Sequence, residues 1–268
     1  MLVSRLPVVL LAMSVEFGAL RRGAEMVSSV AGRPGVWRVR IGGVETHAVV
    51  TGQGHHHADR TTRWAIEALD PSAVIAAGIA GGTLPHQRPG DLIVLDASDH
   101  ATSTNLAGGR VTADNKLTNT LDEALRRMGC SYDLGLGVGV EEVASRQTKQ
   151  RLGQLGAVSV DMESYWVMAA AAEAGVPAAG LRAIADRVDH TVPQSLLGLG
   201  GFQGGRWWPE IRYVWRMPLE IRSVLRTLWA TRTATEALVR CLREALPAIV
   251  GDPESPTTEH SSRANKTV

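Results

Sequence analysis

The chain is poor in the features that most directly assign a sequence to a class. Two cysteines in 268 residues, Cys130 and Cys241, are too few and too far apart for a disulfide framework, so a reduced, cytoplasmic protein is expected. No apolar run is long enough to span a membrane. Lys and Arg total 28 against 27 Asp and Glu, a net charge of +1 that gives no case for nucleic acid. No Gly-x-Gly-x-x-Gly follows the first apolar run, which argues against a dinucleotide-dependent oxidoreductase. No internal repeat is present. Residues 1–12 superficially resemble a signal peptide, but the apolar run is short and no credible cleavage site precedes Glu16.

What is present is a set of acids placed just after short apolar runs. Residues 7–12 (PVVLLA) read as a strand, with Glu16 at the head of the helix that follows. Residues 73–77 read as a later strand running into a turn, Gly78-Ile79-Ala80-Gly81-Gly82, where glycine permits a tight turn or close approach to a ligand. Residues 158–160 end a strand, and residues 162–174 form an Ala-rich helix stopped by Gly175 and Pro177. Residues 178–184 form the next strand, which places Glu163 at a strand-to-helix junction and Asp186 just past a strand end. In open α/β sheets that edge is where ligands bind. Two acids there suggest one group that holds a substrate and one that moves a proton. Taken singly, each acid is more often a helix or turn cap; the ordered set favours the functional reading.

That set comprises A-M-x-x-E at 12–16, G-x-G at 52–54, G-I-A-G-G at 78–82, P-G-D at 89–91, V-D-M-E-S at 160–164 and R-A-I-A-D at 182–186. Over residues 6–190 it resembles the nucleoside phosphorylase superfamily, most closely its methylthioadenosine/S-adenosylhomocysteine nucleosidase branch. The resemblance implies an α/β, three-layer αβα fold around a mixed central sheet. It also implies cleavage of the bond between ribose and a purine.

Such a bond breaks through an oxocarbenium-like transition state, so the leaving base must be neutralised and the ribose cation stabilised. By resemblance, Asp186 is the acid at purine N7, which requires a proton affinity above that of a free Asp near ~3.9. Glu163 grips the ribose 2′- and 3′-hydroxyls, and Met162 packs against the sugar. Glu16 is the base that polarises the nucleophile, and Arg182 helps to position it. Met13, Gly78, Ile79 and Val143 complete the implied substrate contacts. Val143 lies in the segment 141–145, which reads equally as a solvated acidic loop before a helix at 147–155. No cofactor is implied, and phosphate stands as an alternative co-substrate to water. Relatives carry a serine where Ile79 stands, and the Gly-Asp-Pro-x-Arg phosphate run of hexameric phosphorylases is missing, so the nucleophile stays open. Ile79 also motivates a rival reading as a nucleoside-binding protein without catalysis.

His55-His56-His57 invites a metal reading, but adjacent side chains diverge, and His47, His86, His100 and His190 show no ligand spacing; no metal is expected. The expected organisation is one catalytic domain over 1–250, with a helical extension at 206–246 and a disordered tail at 251–268. Residues 191–205 form a Gly-rich loop. Residues 206–245 carry Trp207, Trp208, Trp215 and Trp229 among eight arginines and no lysine. Met217-Pro218 divides them into helices at 208–216 and 219–246. In the second, Ile221, Leu225, Leu228, Ala237, Leu238 and Leu242 make an apolar stripe that suits core packing or a lipid surface. The layout V-P-x-x-L-L-G, a break at R-M-P and an Arg- and Ala-rich last helix resembles the hopanoid-associated nucleoside phosphorylases, which release adenine from adenosylhopane. That resemblance implies a nucleoside with an apolar, lipid-linked 5′ group and peripheral membrane contact. The superfamily resemblance also implies a homodimer.

Overall fold

The computed structural model describes residues 5–30, 32–102, 105–190 and 221–251. The chain runs β1 (Val8–Leu11), α1 (Ser14–Gly23), β2 (Met26–Ser29), β3 (Val36–Ile41), β4 (Val44–Val50), α2 (His55–Leu69), β5 (Val74–Gly82) and β6 (Leu92–Thr102). It continues through β7 (Asn105–Leu106), β8 (Val111–Thr112), α3 (Asn115–Met128), β9 (Tyr132–Gly139), α4 (Arg146–Gln154), β10 (Ala157–Asp161), α5 (Ser164–Glu173), β11 (Ala178–Asp186) and α6 (Ile221–Gly251).

The strands form one mixed sheet in the order β10-β9-β6-β11-β5-β1-β4-β3-β2, with β7 and β8 on β6. β1, β5 and β11 are parallel neighbours; β6 enters antiparallel to β11, and β9 and β10 follow in parallel. β10 then pairs antiparallel with the end of β5, Val160 opposite Gly81, which closes β5, β11, β6, β9 and β10 into a ring.

Alternation along the central strands sorts side chains to two faces. Val9 and Leu11 of β1 pack with Leu20 of α1, Leu121 and Leu125 of α3, and Leu238 and Leu242 of α6. Val8 and Leu10 face the other way, onto Ala58 and Ala65 of α2 and Val167 and Ala171 of α5. Leu152 of α4 packs with Val138 and Val160 beside the ring. The result is the expected three-layer αβα fold with a mixed central sheet and an added C-terminal helix. No described helix is long and apolar enough to cross a membrane.

Several element bounds differ from the sequence expectation. The glycines at 78–82 are not a turn. They lie inside β5, which pairs through Gly81 with β11 on one side and through Gly81 and Gly82 with β10 on the other. Glycine is required there by close approach: a Cβ on Gly78 would run into the Arg182 guanidinium and lie 2.8 Å from Glu16 Oε1. Asp186 is the last residue of β11 rather than past it, and α5 starts at Ser164 with Glu163 as its N-cap.

The C-terminal helix runs to Gly251, through Pro247, and residues 252–268 of the expected tail lie outside the described residues. The loop at 191–205, the helix at 208–216 and Trp207, Trp208 and Trp215 also lie outside them. The apolar stripe of α6 splits in two. Ala237, Leu238 and Leu242 are buried in the core, whereas Leu225 is 59% exposed and Leu228 is also exposed, as is Trp229 beside the stripe at 60%; the Ile221 side chain lies outside the described ones.

Candidate active site

The carboxyl ends of β1, β5, β9, β10 and β11 surround one cavity of about 550 Å³. Residues placed just beyond strand ends are held by a rigid scaffold while their side chains stay available to a ligand. Met13, Glu16, Ile79, Val143, Met162, Glu163 and Asp186 all line this cavity, although they are drawn from five separate segments of the chain.

Glu16 is 1% exposed and fixed on both sides of its carboxylate. Oε2 accepts the amide of Met13, the N-cap of α1, at 2.8 Å, and Oε1 accepts the amide of Ile79 at 2.9 Å. Ile79 therefore serves Glu16 through its backbone, whatever its side chain. Burial raises the Glu16 carboxyl above its ordinary range, against the Ile79 amide and the Arg182 charge, which lower it.

Glu163 reaches the cavity from the N-cap of α5. Its Oε1 accepts the amide of Gly54 at 2.9 Å, and no hydrogen bond among the described residues engages Oε2. Gly54 adopts φ 88° there, a conformation that favours glycine and lets the G-x-G turn aim its amide at Glu163. Burial first, and the charge of Asp161 second, push the Glu163 carboxyl up to about 7.

Behind Glu163 lies a fully buried polar network. Asp161 Oδ1 accepts the amides of Glu163 and Ser164 at 2.8 and 2.7 Å, and Oδ2 accepts the Ser164 hydroxyl at 2.6 Å. Arg182 Nε donates to Ser164 Oγ at 2.6 Å and lies 3.2 Å from Asp161 Oδ2. Each partner is hydrogen-bonded, as a buried ion pair requires. Arg182 and Gly78 are thus placed behind the cavity wall rather than on it; Arg182 acts on Glu16 and Glu163 through its field.

At the opposite wall, Asp186 follows a bulge in β11. Ile184 pairs with Ala80 and Asp186 with Gly81, leaving Ala185 as the extra residue. Bulges re-aim side chains beside functional sites. Asp186 Oδ2 is taken by the ammonium of Lys149, which the sequence reading did not single out. No sequence signal marks it: Lys149 and Leu152, three apart, are the buried residues of α4, and only the fold shows it. Gln53, Glu141, Glu142, Thr227 and Thr231 also line the cavity without having been singled out as site residues.

His55 packs at a tilt against His56 and Trp166, with ring centroids 3.9 and 5.3 Å away. Among the described residues no group of three His, Cys, Asp or Glu side chains is arranged to hold a metal ion.

Residues 8–197 match the Phosphorylase superfamily, and the chain belongs to that family. Its fold is that of several solved nucleosidases. The 5′-methylthioadenosine/S-adenosylhomocysteine nucleosidase of Neisseria meningitidis, solved with methylthio-immucillin-A, superposes with a TM-score of 0.70 at 19% identity, covering 91% of this chain and 99% of that one. The S-adenosylhomocysteine nucleosidase of Streptococcus pyogenes gives 0.69 at 18% identity, with 92% and 98% covered. A futalosine hydrolase mutant of Helicobacter pylori gives 0.69 at 16% identity, with 91% and 99% covered. No curated protein matches the chain by sequence.

Proposed function

We propose that this protein cleaves the N-glycosidic bond of an adenine nucleoside that carries an apolar 5′ substituent, adenosylhopane being the substrate suggested by the C-terminal layout. The observation that carries the reading is the convergence of Glu16, Glu163 and Asp186 on one cavity. The chemistry needs three distinct jobs, and the three acids sit in three distinct environments.

Glu163 offers its unengaged Oε2 to the ribose hydroxyls, with Met162 against the sugar face. As the C1′–N9 bond breaks, its electron pair moves onto the purine, and Asp186 delivers a proton to N7. The nucleophile adds to C1′, and when it is water its proton passes to Glu16. Burial brings that base closer to neutral pH, where proton transfer is most effective. Arg182 bears on Glu16 and Glu163 by its charge from behind the wall.

The lipid-linked 5′ group is supported by the exposed Leu225, Leu228 and Trp229 on the same helix whose Thr227 and Thr231 form a cavity wall. A homodimer that meets the membrane surface through this helix completes the proposal. The fold likeness to the nucleosidases favours a second reading, with methylthioadenosine or S-adenosylhomocysteine as substrate.

The test is product analysis with adenosylhopane, methylthioadenosine and adenosine, each with and without phosphate. Adenine release is expected, greatest with adenosylhopane; free ribose sugar marks hydrolysis and the 1-phosphate marks phosphorolysis. Absence of adenine release from all three compounds would refute the proposal, and faster release from methylthioadenosine would favour the second reading.

A further inference from the structure

We propose that Lys149 is the positioning residue for the leaving-base acid, its ammonium holding one carboxylate oxygen of Asp186 so that only the other can meet the purine. This deepens the functional reading above and rests on Asp186 being that acid.

Lys149 lines the same cavity, but its donors are already engaged. An ammonium has three donors. Those of Lys149 meet three acceptors: Asp186 Oδ2, the Arg187 carbonyl at 3.2 Å and the His190 carbonyl at 2.9 Å. None is left for a substrate, so the lysine acts through Asp186 and the 187–190 segment. Its side chain is 2% exposed, and a buried cation is tolerated only when paired and hydrogen-bonded. The fold also makes room for it. A Cβ on Gly81 would stand 3.1 Å from Lys149 Cε and 3.2 Å from Asp186 Oδ1, so glycine keeps both the lysine stem and the free oxygen clear. The N-terminal anchor of α4, where Ser145 Oγ accepts the Thr148 amide at 3.1 Å, sets the helix that presents Lys149.

The charge matters as much as the position. Once Asp186 has passed its proton to N7, the ammonium beside it neutralises the carboxylate left behind. Other charges face the pair. Asp189 lies in the same segment, ion-paired with Arg187 at 3.1 Å, and its field raises Lys149. His190 is held down by burial and by Arg226 of α6 as well as by Lys149. Glu141 and Glu142 stand on the cavity wall beyond β9, and Glu16, Glu163, Asp161 and Arg182 lie across the cavity or behind its wall. Burial brings Lys149 itself down to about 8.

The experiment follows the Asp186 carboxyl by carbon-13 resonance as pH is varied, in wild type, Lys149→Met and Lys149→Arg, alongside kcat and KM profiles. In the wild type the Asp186 signal takes a second step as Lys149 loses its proton. In Lys149→Met the carboxyl midpoint moves up by about one pH unit or more. There kcat falls about 10- to 100-fold, KM stays within about 3-fold, and the alkaline limb of kcat moves up, as loss of a positioning contact predicts. Lys149→Arg keeps the wild-type midpoint and recovers part of kcat. A wild-type Asp186 signal without the second step overturns the inference, and that reading needs no variant to fold. So does a folded Lys149→Met with unshifted midpoint and unchanged kcat. The titration needs no turnover, so a wild type that releases no base sinks the functional reading and leaves the pairing standing.

Discussion

Asp161 Oδ1 accepts the backbone amide of Glu163 at 2.8 Å, and the same carboxylate raises the proton affinity of the Glu163 side chain. One acid thus fixes its neighbour's backbone while discouraging that neighbour's charge. Glu163, ordinarily near 4.5, sits at about 7 in the fold. A raised carboxyl stabilises the folded state below its unfolded value, and that contribution is lost as pH rises through the folded value. Wild type should therefore lose stability between about pH 5 and pH 7.5, by at most about 3 kcal/mol from this group. Glu163→Gln should lack that component. Denaturant unfolding at half-unit pH steps gives the two slopes; identical slopes would remove Glu163 as their source.

Two glycines separate close packing from mere helix propensity. Gly78→Ala forces a methyl group against the Arg182 guanidinium and Glu16 Oε1. It should cost about 1–3 kcal/mol and displace Glu16, cutting kcat more than tenfold. Gly18→Ala, inside α1, puts its methyl 3.6 Å from an Arg22 nitrogen, an ordinary contact. It should be neutral or stabilising by up to about 1 kcal/mol. Thermal melts with steady-state kinetics decide the matter, and equal effects at the two sites would count against the close approach at Gly78.

The last helix should behave as two halves. Leu238→Ala or Leu242→Ala empties a site in the core and should cost about 2–5 kcal/mol. Leu225→Ser or Trp229→Ser alters an exposed surface and should stay within about 0.5 kcal/mol. If that surface meets lipid, the second pair also weakens co-sedimentation with vesicles, whereas the first does not. Melting and sedimentation of the four variants together distinguish the halves; equal destabilisation in both would show that the outer half is packed.

Glu16, Glu163 and Asp186 were legible because each follows a short apolar run, and runs of that kind end at the same sheet edge. The glycines at 78–82 misled because flexibility and close approach leave the same letters; only the neighbouring Arg182 and Glu16 reveal which applies. Lys149 was illegible for a different reason. Its burial is decided by Gly81 and the 187–190 carbonyls, both remote in sequence, and a lysine in a polar helix reads as solvated. The apolar spacing in α6 likewise could not show that Leu225 and Leu228 stay exposed while Val224 and Ala230 in the same stretch are buried.

The pairing of β10 with β5 has a consequence for how substrates are told apart. A hoop of hydrogen-bonded strands cannot spread to admit a bulkier guest without breaking its own ladder. The side of the chamber formed by Thr227 and Thr231 belongs to a helix, which can shift as a body while keeping every internal bond. Accommodation of larger or smaller guests in this scaffold is therefore expected to be written in α6, with the three acids at the strand ends left unaltered.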